Sequence, residues 1–177
     1  SHDYLKSGTR ISPTSLPSPY IKTKNNKKYT LIFELDETLI HFKEKETVDE
    51  GIIRIRPGVN ELLEEVGKYY ELIIFTTAVQ DYADTLIDAS EEGKIFFDCR
   101  LYRDHCSLLD NEFVKDLNKI GRPLDKIIII DNMPQNMRLQ KDNGICIKPF
   151  FGEDTFDTVL LDLVPILVNI AKEGGDI

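Results

Sequence analysis

Three acidic residues and a threonine follow the first long apolar run of the sequence, and they are the residues best suited to chemistry. Glu34, Asp36, Glu37 and Thr38 come directly after residues 29–33. An unpaired carboxylate is costly to bury inside a sheet, so we expect these side chains at the carboxyl end of a strand. Side chains two residues apart on an extended backbone point the same way. Glu34 and Asp36 could therefore face the same bound ligand, where carboxylates can serve as nucleophiles or as general acids and bases.

Two later apolar runs also end in polar residues. The first stops at Thr76 and Thr77, and the second stops at Asp131 and Asn132. Apolar runs of this kind predict strands buried on both faces, which is typical of a parallel sheet. The carboxyl ends of parallel strands meet at one edge, where open α/β folds bind their ligands. The acids, the threonines and the Asp-Asn pair are therefore expected to converge there.

Strand and helix patterns alternate along the chain, which predicts an α/β fold with a central, mainly parallel sheet and helices on both faces. Apolar runs predict strands at residues 29–33, 52–56, 71–75, 95–102, 126–130 and 145–147. Periodic apolar positions predict helices at 59–66, from Asp81 onward, at 113–120 and at 154–172, and residues 41–50 are predicted to form a loop. We expect Pro165 to bend or split the last helix, because proline cannot make the backbone hydrogen bond of a helix interior.

Length and composition suit one folded domain with tails. The chain has 177 residues, of which 41% are hydrophobic, enough for one core. The prolines and serines of residues 1–28 predict an extended N-terminal tail, either a solvated leader or a docking arm for a partner. Residues 29–172 are predicted to form the domain, and residues 173–177 a short C-terminal tail.

Charge and cysteine content argue against several classes of function. A net charge of -9 offers no basic surface for nucleic acid, and no apolar run is long enough for insertion into a membrane. Cys99, Cys106 and Cys146 lack the spacing of a zinc site or a disulfide framework. With no visible signal peptide, we expect a reducing, intracellular compartment, the cytoplasm or nucleus, with the mitochondrion as the alternative.

The segment Glu34-Leu35-Asp36-Glu37-Thr38-Leu39 resembles the first signature of the haloacid-dehalogenase-type phosphotransferases, and within them the FCP/SCP-like protein phosphatases. The usual family form begins with aspartate, where this chain has Glu34. Three later segments resemble the other family motifs, in the family's order: Phe75-Thr76-Thr77-Ala78, Phe113-Val114-Lys115-Asp116-Leu117 and Ile130-Asp131-Asn132. The resemblance extends from about residue 29 to residue 170.

The resemblance implies a set of roles in phosphoryl transfer through an acyl phosphate. It implies a nucleophile at Glu34, a general acid and base at Asp36, and Mg²⁺ as the cofactor. The other implied roles are phosphate binding by Thr76 (the better match), Thr77 and Lys115, support of the loop by Thr38, a substrate mouth at Tyr82 and Arg103, and magnesium ligation by Glu34, Asp36, Asp131 and Asn132.

Two departures from the family pattern bear on activity. Glu34 adds one methylene, which moves the carboxylate by about 1 Å, and misplacement of that size can lower a rate roughly 100-fold. The link between His41 and Arg54 is too short for the three-stranded β-insert of active relatives, so the insert is predicted to be short or absent. The missing insert and the segments 69–71 and 148–150 also resemble those of Tim50-type import receptors. Those receptors have a degraded active site and bind presequences.

These observations favour two functions of different classes. The first is a magnesium-dependent phosphoserine/phosphothreonine protein phosphatase, with activity weakened or lost through Glu34 and a phosphorylated protein or peptide as substrate. The alternative is a pseudophosphatase that serves as a protein-binding scaffold or Tim50-like receptor. A small-molecule phosphatase is less favoured, because the sequence has no large cap insertion to close over such a substrate.

Overall fold

The structure is a computed structural model, and it describes residues 16–45, 51–90 and 96–177. The strands of this part are Tyr29–Phe33 (β1), Ile40–Lys43 (β2), Ile52–Ile55 (β3), Tyr70–Phe75 (β4), Cys99–Leu101 (β5), Ser107–Leu109 (β6), Glu112–Val114 (β7), Ile127–Asp131 (β8) and Gly144–Cys146 (β9). Its α-helices are Val59–Val66 (α1), Gln80–Ser90 (α2) and Val159–Glu173 (α3). None of the described helices combines the length and hydropathy needed to cross a lipid bilayer.

Five parallel strands form the central sheet, in the order β5-β4-β1-β8-β9. β1 lies in the middle, with Leu31 opposite Leu72 of β4 on one side and Ile128 of β8 on the other. Every residue of these three strands is buried, as expected for parallel strands covered on both faces. Their carboxyl ends therefore lie side by side, and the predicted α/β fold is confirmed.

The two faces of the sheet are covered differently. Leu31 and Phe33 pack into the core that also holds the buried residues of all three described α-helices. Ile32 points to the opposite face and packs with Ile21 and Ile120. On that second face, where regular helices were predicted, the described cover includes the segment before β1 and 3₁₀ helices, among them Leu117–Lys119 and Pro134–Asn143.

The prediction of a loop at residues 41–50 is wrong for residues 41–43, which belong to a strand. Ile40–Lys43 is a strand that pairs antiparallel with Ile52–Ile55, while residues 46–50 lie outside the described part. The ring of Phe42 packs edge-on against Tyr82, with 6.1 Å between ring centroids. This tertiary contact gives a mostly polar segment a side to bury, which its sequence did not indicate. The hairpin is a short insert, as predicted.

The helix predicted for residues 113–120 is also wrong. Glu112–Val114 is a strand paired antiparallel with Ser107–Leu109, and a single 3₁₀ turn at Leu117–Lys119 follows. Asp110 and Asn111 connect the two strands with φ of 52° and 61°. Positive φ at both central residues is the signature of a type I′ hairpin turn, for which Asp and Asn are suited.

The remaining local predictions differ in small ways from the structure. The last helix begins at Val159 and runs through Pro165 as one element, so it is not split. Gly121 ends the 3₁₀ turn with φ of 97°. Residues within both predicted tails contact the domain: the Tyr20 N–H donates to Lys119 O at 2.8 Å, and the Ile177 N–H to Asp125 O at 2.9 Å. The boundaries at residues 28 and 172 stay a prediction.

Candidate active site

A cavity of about 120 Å³ opens at the carboxyl edge of the sheet. It is lined by Glu34, Asp36, Glu37, Thr77, Ala78, Tyr82, Arg103, Asn132, Met133 and Asn136. These residues follow β1, β4, β5 and β8 or begin α2. The parallel register of the sheet thus brings the polar ends of β1, β4 and β8 to one place.

Lys115 lies beneath this cavity, fully buried between two carboxylates. Its Nζ is 2.6 Å from Glu34 Oε2 and 2.5 Å from Asp131 Oδ2. Burial opposes the charged form of the amine, but Asp131 and Glu34 outweigh it and raise the pKa of Lys115 above its ordinary value. The backbone N–H of Lys115 donates to Asn136 O at 2.9 Å. The site therefore contains a fixed ammonium that neutralises part of its negative charge.

The Glu34 carboxylate is held by three donors. Oε1 accepts from the Leu35 N–H at 2.8 Å, and Oε2 accepts from the Thr77 N–H at 3.3 Å in addition to Lys115. The residue is 4% exposed but still lines the cavity. Both carboxylate oxygens are thus oriented by protein groups.

Asp36 is oriented by a tyrosine. The Tyr82 hydroxyl donates to Asp36 Oδ1 at 3.0 Å. Burial, and then the neighbouring charge of Asp36, raise the pKa of Tyr82, so the phenol stays protonated and continues to donate. Because Glu34 and Asp36 line the same cavity, they can act on the same bound group.

The two threonines predicted to bind phosphate occupy different positions. Thr76 is fully buried, and its Oγ1 accepts from the Ala78 N–H at 3.1 Å. Thr77 lines the cavity and accepts at its carbonyl from Arg103 Nε at 2.8 Å. The structure therefore favours Thr77 for contact with a ligand and Thr76 for support of the loop, although the motif made Thr76 the better match.

Arg103 supplies positive charge to the cavity wall. Its guanidinium lies over the ring of Phe113, 5.0 Å from the centroid, and lines the cavity. Burial lowers the pKa of Arg103, but a guanidinium remains protonated in proteins. Arg103 thus lies at the cavity, and its role at a substrate mouth stays a prediction.

Oxygen donors for a divalent cation are offered by four residues that line the cavity: Glu34, Asp36, Glu37 and Asn132. Carboxylate and amide oxygens are the ligands that Mg²⁺ takes, so this donor set fits magnesium. Asp131 is less suited, because it does not line the cavity and its two oxygens accept from Lys115 and from the Met133 N–H at 2.9 Å. In the described ranges, no group of three or more His, Cys, Asp or Glu side chains could hold a metal by itself.

Several lining residues were absent from the sequence prediction. Met133 and Asn136 reach the cavity because the 3₁₀ segment Pro134–Asn143 turns back over it. Pro134 is a usual first residue of a helix, so a turn directly after Asn132 could have been predicted from it. Glu37, which has φ of 58°, also lines the cavity, at the edge where the sequence placed the three acids.

Comparison with known proteins decides the family. Residues 29–177 match the family described as "NLI interacting factor-like phosphatase". The chain belongs to this family. The resemblance to FCP/SCP-like phosphatases seen in the sequence motifs is thereby confirmed.

Several curated proteins are similar to this chain over most of its length. It is 37% identical over 172 residues to "Phosphatase PSR1" of Saccharomyces cerevisiae, across 89% of this chain and 39% of that protein. It is 30% identical over 190 residues to the human "CTD small phosphatase-like protein", across 96% of this chain and 68% of that protein. The chain also spans 54% of "Phosphatase Herzog" of Drosophila melanogaster. It thus corresponds to one part of several longer relatives.

A solved structure supports the fold. Fission yeast Fcp1, described as an RNA polymerase II CTD phosphatase and bound to beryllium fluoride, superposes with a TM-score of 0.56 at 19% identity. The match covers 84% of this chain and 52% of that chain. Identity this low shows the shared α/β fold alone.

Proposed function

We propose that this domain is a magnesium-dependent phosphoserine/phosphothreonine protein phosphatase whose turnover is slowed by Glu34. The observation that carries the proposal is the placement of two carboxylates, Glu34 and Asp36, on one cavity with Lys115 2.6 Å from Glu34. Several relatives are named as phosphatases, and fission yeast Fcp1 is named as an RNA polymerase II CTD phosphatase. A phosphorylated protein segment is therefore the proposed substrate.

The reaction has two steps. In the first, a Glu34 oxygen attacks phosphorus, the phosphorus–oxygen bond to serine or threonine breaks, and the leaving oxygen takes a proton from Asp36. In the second, Asp36 removes a proton from water, whose oxygen attacks phosphorus and releases phosphate from Glu34. Lys115, Arg103 and the Thr77 N–H supply donors and positive charge for the phosphoryl oxygens.

Magnesium would be held by Glu34, Asn132 and the backbone carbonyl of Asp36. When bound, it would neutralise charge that develops on the phosphoryl group. The added methylene of Glu34 displaces both the oxygen that attacks phosphorus and the oxygen that would bind magnesium. Since misplacement by about 1 Å can lower a rate roughly 100-fold, slow turnover is the expected result.

One observation favours the second candidate, a catalytically inactive scaffold or receptor. Both oxygens of Glu34 already accept hydrogen bonds, from Leu35, Thr77 and Lys115. A carboxylate satisfied in this way is stable without phosphate or metal, and the domain could keep its fold and bind proteins with no turnover.

Hydrolysis assays separate the two candidates. We expect the chain to hydrolyse phosphoserine peptides and an aryl phosphate slowly in the presence of Mg²⁺, to stop when EDTA removes the metal, and to resume when Mg²⁺ is restored. Absence of hydrolysis by both the native chain and Glu34→Asp, with Mg²⁺ or phosphate still bound in calorimetry, would instead support the scaffold.

Replacing Tyr82 by phenylalanine is expected to lower kcat about tenfold. The variant removes the hydroxyl that donates to Asp36 at 3.0 Å, and a hydrogen bond to a charged group contributes about 1.5 kcal/mol, close to a factor of ten. Steady-state hydrolysis of an aryl phosphate measures the change. Tyr102→Phe is the matched control, because the Tyr102 hydroxyl donates at 2.6 Å to Asp84, which does not line this cavity. Equal kcat for Tyr82→Phe and the native chain would show that the hydroxyl does not orient Asp36 in the reaction.

A further inference from the structure

A buried ion pair lies behind the cavity, in residues that the proposed reaction does not use. Arg56 is 1% exposed, and its Nε and Nη2 donate to Asp157 Oδ1 and Oδ2, both at 3.0 Å. Burial raises the pKa of Asp157, but hydrogen bonding and the charge of Arg56 outweigh burial and lower it. A fully buried guanidinium is rare and costly to desolvate. The role of Arg56 can therefore be inferred from the other groups to which it donates hydrogen bonds.

The remaining Arg56 donors bind two backbone carbonyls. Nη1 donates to Thr38 O at 3.2 Å, and Nη2 donates to Lys148 O at 2.8 Å. Thr38 belongs to the loop after β1, and Lys148 follows β9. The two segments also contact each other, since the Phe150 N–H donates to Glu37 O at 2.9 Å. Arg56 therefore joins the segment after β9 to the loop after β1, and that loop lines the cavity through Asp36 and Glu37.

The loop after β1 contacts Asn132 directly. The Thr38 side chain, fully buried, donates from Oγ1 to Asn132 Oδ1 at 3.0 Å. On the other side, the Ile147 N–H donates to Asp131 O at 3.0 Å. The two segments joined by Arg56 thus both hold the Asp131-Asn132 pair, one through a side chain and the other through the backbone.

We propose that the Arg56–Asp157 pair is a positioning device for Asn132, acting through Thr38. The inference rests on the proposed function, in which the Asn132 amide oxygen is a magnesium ligand. Hydrogen bonds from outside a metal site orient its ligands, and their loss typically weakens metal affinity about 10- to 100-fold. Arg56 fixes the Thr38 carbonyl, the Thr38 hydroxyl then faces Asn132, and the amide presents its oxygen in one orientation.

Arginine is required because its donors act in fixed directions. The guanidinium contacts both oxygens of Asp157 and two carbonyls at once. Lysine carries the same charge on a single nitrogen without this planar geometry. Arg56→Lys therefore keeps the charge of the pair and removes the connection to Thr38.

The chain contains a matched control pair at the other end of the sheet. Arg122 donates to both oxygens of Glu71, at 2.8 and 2.9 Å, and to Thr23 O at 2.8 Å. Glu71 lies near the amino end of β4, away from the cavity lining. Arg122→Lys reproduces the chemical change of Arg56→Lys without a path to Asn132.

Calorimetric titration with Mg²⁺ tests the proposal on the purified chain. We expect Arg56→Lys and Thr38→Val to bind Mg²⁺ about 10- to 100-fold more weakly than the native chain. Thr38→Ser keeps the hydroxyl and should bind Mg²⁺ as tightly as the native chain. Arg122→Lys should also match the native chain. If Arg56→Lys does not fold, Asp157→Asn, which alters the same pair, replaces it. Native affinity in Arg56→Lys or Asp157→Asn, or an equal loss in Arg122→Lys, would overturn the proposal.

A second measurement does not depend on the metal. The ¹⁵N side-chain amide signal of Asn132, recorded without Mg²⁺, is expected to shift in Arg56→Lys and Thr38→Val but not in Arg122→Lys. An unchanged signal in Arg56→Lys would overturn the positioning role. A native chain that binds no Mg²⁺ would overturn the metal-dependent part of the proposed function, and the amide signal would still decide whether the pair orients Asn132.

Discussion

Replacing Glu34 by aspartate is expected to raise the rate of phosphate-ester hydrolysis about 100-fold, because a displacement of about 1 Å in a reacting group changes rates by that order. The variant shortens the side chain by one methylene and restores the family's usual nucleophile. The rest of the site is present: Asp36, Thr77, Arg103 and Asn132 line the cavity. The measurement is kcat/KM for an aryl phosphate and for phosphoserine peptides at saturating Mg²⁺.

Two further variants make this result interpretable. Asp36→Asn, placed in either background, is expected to lower the rate by about 10²- to 10⁴-fold, the usual contribution of a general acid and base. Glu61→Asp makes the same substitution at an exposed residue of α1 and should leave the rate unchanged. If Glu34→Asp is no faster than the native chain while both turn over, the length of Glu34 is not what limits the reaction.

Replacing Lys115 by methionine is expected to lower the free energy of unfolding by about 3–5 kcal/mol, the usual cost of removing one partner from a buried ion pair. Lys115 contacts Glu34 and Asp131, which are 4% and 0% exposed. Without the ammonium, two buried carboxylates face each other with like charge. Urea unfolding followed by far-UV circular dichroism measures the change.

The matched control is Lys68→Met. Lys68 and Glu65 form an ion pair of similar length, 2.7 Å, but on the surface of the protein. Exposed pairs contribute about 0–1 kcal/mol, so this variant should remain close to the native chain. Equal losses for the two lysines would show that the buried pairs contribute no special stability.

The Lys115 contribution should also depend on pH in a defined direction. The two carboxylates raise the pKa of Lys115 in the folded state, after outweighing the opposing effect of burial. A raised pKa contributes stability that is fully present below the unfolded pKa, about 10.4, and is lost as pH rises through the folded value. The difference between native and Lys115→Met proteins should therefore stay constant between about pH 6 and 9 and shrink at higher pH.

Predictions that depended on burial were reliable here. Apolar runs located β1, β4 and β8, and the acids and threonines after them marked the strand ends. Burying an unpaired carboxylate among apolar neighbours is costly, which favours the end of a strand at such residues. Glu71 is buried inside β4 with Arg122 as its partner. The first signature, from Glu34 to Leu39, also identified the family, which the match over residues 29–177 confirmed.

The sequence did not predict two strands that form only by pairing with another segment of the chain. Residues 40–43 form a strand because they pair with 52–55 and because Phe42 packs on Tyr82. Residues 112–114 form a strand because the turn at 110–111 folds them onto 107–109. In both segments the local pattern was weak, and pairing across a hairpin decided the conformation.

The sequence by itself determined the fold class and the edge of the sheet at which polar side chains collect, because both follow from the order of apolar and polar residues along the chain. The tertiary structure alone decided that Lys115 lies between Glu34 and Asp131, that Thr77 lines the cavity while Thr76 supports it, and that Arg56 is paired with Asp157. These partners are separated by as many as 101 residues. Their contacts depend on the register of the strands and the packing of loops, which no local pattern of residues encodes.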